Sequence, residues 1–185
     1  MRLTVYTDYT LRVMIYLTLK YEGGAVATID EMAQAYGISR NHLMKIVNEL
    51  SQNGFIETTR GRAGGARLAR APSRISLGEV VRMAEKDFAV VQCQDVALEA
   101  DCAVFQACNL KRGLRRAIDA FMQELDKMTF EEAVSAPTVA ASLLGMGDEP
   151  VPIAMPVPGS GRKGAAVKLP HRPSAQSRRG AAKRQ

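Results

Sequence analysis

The sequence predicts a mainly α fold with one small β-hairpin: a winged helix-turn-helix, then a long dimerisation helix, then a disordered C-terminal tail. Three observations support this. Apolar residues recur at helical spacing in several separate windows. Two short alternating stretches around a basic, glycine-rich tip follow the first three windows directly. Beyond Gly147 the composition turns to Pro, Gly, Ser, Ala and Arg, which cannot bury enough apolar surface to offset ordering entropy. The expected division is 1–82 for the winged domain, 83–147 for a cysteine-bearing loop and the long helix, and 148–185 for the tail.

The first helix is expected from about Thr7 to Tyr21, with Tyr9, Val13, Tyr16 and Leu17 on one face and Leu11 and Ile15 widening it. Gly23-Gly24 ends it. A short second helix starts after Thr28, turns Ile29, Met32 and Ala33 inward, and closes at Tyr36-Gly37. Ser39 is the N-cap of a third helix, whose Leu43, Ile46, Val47 and Leu50 stand at i, i+3, i+4 and i+7. The other face presents Arg40, Asn41, Lys45 and Asn48, with His42 near its start. Asn53-Gly54 stops it, since glycine enters the left-handed region at little cost.

Phe55–Thr59 reads as a strand, Arg60-Gly61-Arg62-Ala63-Gly64-Gly65 as a turn, and Ala66-Arg67-Leu68 as the partner strand. Ser76 opens another helix with Leu77, Val80, Val81 and Ala84 apolar. Asp87 to about Cys108 lacks regular periodicity. From Leu110 a long helix resumes, with Leu114, Ile118, Phe121 and Leu125 one turn apart and charge on its other face. Its apolar stripe suits a second copy of the chain, its own winged domain, or both.

The formal charge of +6 is unevenly placed. Residues 1–147 hold 17 basic and 17 acidic side chains, so the excess lies wholly in 148–185. Residues 39–74 nonetheless carry 7 basic and 2 acidic side chains, a local surplus that a phosphate backbone attracts. A helix-turn-helix lays its second helix in the major groove of double-stranded DNA with the N-terminal residues on base edges. Arg40, Asn41 and His42 occupy that end, and arginine and asparagine can grip guanine and adenine through paired hydrogen bonds. Lys45, Arg60 and Arg62 suit phosphates or the minor groove, while Gly64 and Gly65 let the backbone turn tightly and approach DNA.

The only cysteines are Cys93, Cys102 and Cys108, crowded into one stretch. An odd, clustered set fits a metal or cluster site better than a disulfide framework. Inert burial is disfavoured by the polar surroundings: Gln92, Gln94, Asp95, Glu99, Asp101, Gln106 and Asn109. Structural zinc prefers four Cys or His ligands, and the only histidines, His42 and His171, stand elsewhere. Spacing alone leaves zinc and an iron–sulfur cluster open.

The runs Leu3-Thr4 through Thr7-Asp8-Tyr9, Ser39-Arg40-Asn41-His42-Leu43-Met44-Lys45-Ile46-Val47-Asn48 and Arg60-Gly61-Arg62-Ala63-Gly64-Gly65-Ala66-Arg67-Leu68 resemble the Rrf-type bacterial regulators. Within them the nitric-oxide-sensing, nitrite-sensitive branch is the most similar, over about residues 1–135. The resemblance implies a homodimeric repressor on palindromic operator DNA, with nitric oxide as signal. It further implies an iron–sulfur cluster (2Fe–2S or 4Fe–4S) held by Cys93, Cys102 and Cys108, with Asp8 as fourth ligand, supplied in some sensors by the other subunit. Taken alone, Asp8 reads as a helix-start residue favoured by the dipole. Lys111 stands where the cluster-assembly regulator of the family carries a histidine. The wide first gap, Cys93-x8-Cys102, resembles the iron-responsive rhizobial repressor, which is the alternative within the family. An electron-transfer protein using the winged domain as scaffold is the alternative of another class.

No phosphate loop, nucleophile–histidine pair or paired acid–base site is present, so enzymatic activity is not expected. The N-terminus lacks a signal-peptide pattern and no apolar run could span a bilayer. The expectation is a cytoplasmic protein without membrane partners, in a compartment where thiols stay reduced.

Overall fold

A computed structural model of the chain describes residues 2–61, 64–91, 94 and 103–146. The tail expected at 148–185 lies outside them. The described chain is mainly helical with one two-stranded antiparallel hairpin, as the sequence pattern implies.

Helix α1 runs Val5–Leu19. It begins before Thr7 because Thr4 caps it, its hydroxyl accepting the Thr7 N–H at 3.2 Å. Its buried face is Thr7, Thr10, Val13, Met14, Tyr16 and Leu17, while Tyr9, Leu11 and Ile15 pack only partly against the core. The two threonines tolerate burial because their hydroxyls are satisfied locally. Thr10 donates to the Tyr6 carbonyl at 2.8 Å, and Thr7 shares a 3.0 Å hydrogen bond with Thr4.

Helix α2, Ile29–Tyr36, opens with a reciprocal box between Thr28 and Glu31 and stops at Gly37, whose φ of 65° is left-handed. Helix α3, Arg40–Gln52, starts at Ser39 and buries Leu43, Ile46, Val47 and Leu50, the stripe expected of it. Strands β1, Ile56–Thr59, and β2, Gly65–Leu68, pair with Ile56 opposite Leu68 and Thr59 opposite Gly65. Ala27 joins β2 from outside: it exchanges two 2.8 Å backbone hydrogen bonds with Ala66. The hairpin is thereby fastened to the chain between α1 and α2.

Helix α4, Leu77–Ala84, has its own box between Ser76 and Glu79 and buries Gly78, Val80, Val81 and Ala84. The long helix α5, Leu110–Lys127, packs along α4. Gly78 permits the approach, since a Cβ there would overlap the Asp126 carboxylate and come within 3.0 Å of its backbone nitrogen. Arg82 grips the same carboxylate with two hydrogen bonds of 2.5 and 2.6 Å. Of the α5 stripe only Met122 is buried. Leu114, Ile118, Phe121 and Leu125 remain half-buried, and Leu110 is 61 % exposed.

After α5 the chain returns to the winged domain. The Leu77 N–H donates to the Met128 carbonyl at 2.9 Å and the Phe130 N–H to the Ile75 carbonyl at 3.0 Å. This stitch delivers Phe130, at the head of α6 (Phe130–Ala133), into the core with no exposed surface. A last helix, α7 (Pro137–Leu143), follows and touches α1.

Phe130→Ala is therefore expected to lower unfolding free energy by about 3–5 kcal/mol, read by urea denaturation. A loss near zero would mean that the return segment is not part of the cooperative unit. A second expectation concerns acid. Burial alone would raise the Glu79 carboxyl, but hydrogen bonds from the Ser76 N–H and from Arg70 outweigh it and hold the group below its usual value. A carboxylate depressed in the folded state stabilises the fold above its unfolded value, and that contribution is lost as pH falls through the folded one. Glu79→Gln should flatten the fall in stability below about pH 4, measured by thermal unfolding across pH.

Candidate nucleic-acid interface and metal-ligand residues

The burial of the α3 stripe decides what the helix shows to solvent. Arg40, Asn41, His42, Met44, Lys45 and Asn48 are all exposed on its outer side. Ser39 caps the helix by accepting the His42 N–H at 3.4 Å, so this end projects from the α2–α3 turn. Arg40 pairs with Asp30 of α2, both side chains more than 60 % exposed. Such a pair contributes little to stability, and the guanidinium is free to exchange its partner for a base edge. Met44, 51 % exposed, was not among the residues selected from the sequence. A methionine on an otherwise polar helix face is its signature, and its thioether offers the apolar surface that reads a thymine methyl.

Two residues of α1 brace this face. The Tyr6 hydroxyl donates to the Glu49 carboxylate, and the Lys45 ammonium lies 5.5 Å from the centre of the Tyr6 ring. The Tyr9 and His42 rings stand 6.0 Å apart, tilted by 43°.

The hairpin beside α3 is basic, but its charges are not equivalent. Arg67 is paired with Glu57 across the strands at 2.7 Å, and Arg70 with Glu79 at 2.9 Å. Arg60 and Gly61 at the tip are exposed. Arg62 lies outside the described residues. The glycines Gly64 and Gly65 have an internal reason to lack side chains. A Cβ on Gly64 would approach the Gly61 carbonyl oxygen to 2.8 Å, and one on Gly65 would meet the Ala27 carbonyl oxygen at 2.7 Å.

Of the expected metal ligands, Cys93 and Cys102 lie outside the described residues. Cys108 is a free, half-buried thiol just before α5, following a short 3-10 turn at Phe105–Ala107. The Lys111 ammonium rests 3.4 Å over the Phe105 ring in the same corner. Asp8 sits in the first turn of α1, its side chain half exposed. One carboxylate oxygen accepts from Arg12 at 3.0 Å, and the other has no partner among the described residues. A reduced thiol and an open carboxylate oxygen are the donor chemistry that iron accepts. Among the described residues no three Cys, His, Asp or Glu side chains are gathered as a metal site. No helix of the described residues is long and apolar enough to cross a membrane.

A helix presenting Arg40, Asn41 and Lys45 beside a basic hairpin defines a winged helix-turn-helix DNA-binding regulator rather than an enzyme. The chain belongs to the Rrf2 family, described as iron-dependent transcriptional regulators, whose model matches residues 3–136. It is 44% identical over 146 residues to the HTH-type transcriptional regulator NsrR of Bacillus subtilis strain 168, spanning 79% of this chain and 99% of that relative. It is 40% identical over 151 residues to protein aau3 of Rhizobium meliloti strain 1021, spanning 82% and 96%. Among solved structures it resembles CymR (YrzC), the global cysteine regulator of B. subtilis, with a TM-score of 0.59 at 26% identity, covering 73% of this chain and 97% of that one. T. potens IscR shares the fold, with a TM-score of 0.57 at 21% identity over 72% of this chain and 86% of that one.

Gly65→Ala should cost about 1–3 kcal/mol of stability in the absence of DNA, because the added methyl pushes β2 off Ala27. Unchanged thermal unfolding with weakened DNA binding would instead assign this glycine to the DNA contact alone.

Proposed function

We propose that the chain is a homodimeric repressor whose iron–sulfur cluster makes its grip on operator DNA sensitive to nitric oxide. The carrying observation is the set of three cysteines and Asp8 in a chain 44% identical to a regulator named NsrR. The thiolates of Cys93, Cys102 and Cys108 and the carboxylate of Asp8 would hold the cluster. When bound, it supplies iron that nitric oxide attacks.

The chain's own parts account for the rest. Arg40, Asn41 and His42 read base edges, aided by Met44, while Lys45, Arg60 and Arg62 engage phosphates, with Gly64 and Gly65 keeping the wing close to the backbone. The half-buried stripe Leu114, Ile118, Phe121 and Leu125 suits a second copy, which would place two α3 helices on one operator. The separation of those helices decides whether both half-sites are met. Residues that fasten the cysteine segment to α1 therefore control affinity without touching DNA.

The test is anaerobic purification, iron and sulfide assay, and titration with nitric oxide while binding to DNA from upstream of its own gene is followed. Bleaching of the visible absorbance in step with loss of DNA binding is the expected result. Cys108→Ala should fold and dimerise, contain no iron and repress no longer. A colourless zinc protein, or full repression by Cys108→Ala, would overturn the reading.

A further inference from the structure

The first turns of α1 carry Asp8 on the solvent side and, flanking it, two tyrosines directed at α3. Lys45 and Glu49 stand one turn apart on α3. Tyr6 occupies the notch between them, its hydroxyl donating to Glu49 and its ring beneath the Lys45 ammonium. Tyr9 sets its ring against His42 at the other end of the same face. Both tyrosines are only partly buried at the edge of the core. A purely packing role at these two positions needs no hydroxyl and no ring.

We propose that Tyr6 and Tyr9 are positioning residues that seat the DNA-facing side chains Lys45 and His42, so that the first turn of α1 sets the affinity of α3 for DNA. Neither tyrosine touches DNA. Each acts through one partner: Tyr6 keeps the flexible lysine stem pointing along the helix face, and Tyr9 limits the rotation of the imidazole. The proposal rests on reading α3 as the recognition helix. Its relevance to signalling rests on Asp8, which lies between the two braces.

Double-mutant cycles on the full-length protein, purified anaerobically, provide the test. Dissociation constants for duplex DNA from upstream of its own gene are measured by fluorescence anisotropy. Tyr6→Leu and Lys45→Ala are compared singly and together, as are Tyr9→Leu and His42→Ala. Each single change is expected to weaken binding roughly three- to thirtyfold. The Tyr6/Lys45 pair should bind no worse than Lys45→Ala alone, and the Tyr9/His42 pair no worse than His42→Ala alone. The crossed pair, Tyr6→Leu with His42→Ala, should instead multiply the two losses. Tyr6→Phe, which keeps the ring and loses the hydroxyl, should recover part of the affinity and serves if Tyr6→Leu folds poorly.

A second readout needs no DNA. His42 is one of two histidines, the other being His171. Its ring-proton resonance should move in Tyr9→Leu, which removes the neighbouring ring current, and stay in place in Tyr6→Leu. Losses that multiply within the matched pairs, or a His42 resonance indifferent to Tyr9→Leu, would overturn the proposal. Failure of the cluster reading is a separate result: equal affinity of the unsubstituted protein before and after iron removal. It leaves the cycles valid, because every variant is compared in one state of the protein.

Discussion

The seating of α3 on α1 is the contact from which the rest of the structure follows. Leu43, Ile46 and Leu50 have no exposed surface, and neither do Val13 and Met14 of α1, with Leu17 almost completely covered. Each such side chain contributes about 1.5–3 kcal/mol on leaving water. No surface hydrogen bond in the domain competes with that sum. Since the stripe follows helical periodicity, the residues off it turn toward solvent, among them Arg40, Asn41, Met44, Lys45 and Asn48. Helix α1 serves as the axle for the other parts as well, packing against α2, α4, α6, α7 and β2.

Local signals in the sequence were enough for α3. Its cap at Ser39, its stripe and its stop at Asn53-Gly54 are short-range features, and the structure has all of them. The hairpin was equally legible, except that β1 starts at Ile56 and that Gly65 joins β2 opposite Thr59. What periodicity could not reveal were the buried threonines of α1, whose polarity is masked by hydrogen bonds to their own turn. Phe130 was hidden for a related reason. Its burial depends on pairing with Ile75, and no window of neighbouring residues encodes that partner.

The candidate site divides along similar lines. The cysteine cluster stands out in the sequence because three rare residues gather in one polar stretch, while Asp8 is an ordinary helix-start aspartate until the family resemblance gives it a role. Of the braces, Tyr9 was legible only as an apolar position of a helix, and Tyr6 stood before the start expected at Thr7. Their hydroxyl and ring contacts cross between two elements, and such pairs leave no periodic trace. The wing glycines, read as letting the backbone turn tightly and approach DNA, also have a reason inside the fold, because the chain's own carbonyls leave no room for a side chain there.

One buried contact links these parts. Glu85, 8 % exposed, follows α4 at the head of the segment that carries Cys93 and Cys102 and ends at Cys108. It accepts the Thr4 N–H at 2.5 Å, holding the residue that caps α1 four positions before Asp8. A charged acceptor on a backbone donor, largely shielded from water, costs more to break than an exposed pair, because separating the partners leaves a desolvated carboxylate unsatisfied. Near its C-terminal end, α5 is fastened to α4 through Arg82 and Asp126. Just past Thr4, Tyr6 and Tyr9 meet α3. The end of α4 is thereby tied to the cap of α1, and through the first turns of α1 to the exposed face of α3, by contacts that lie outside the apolar core.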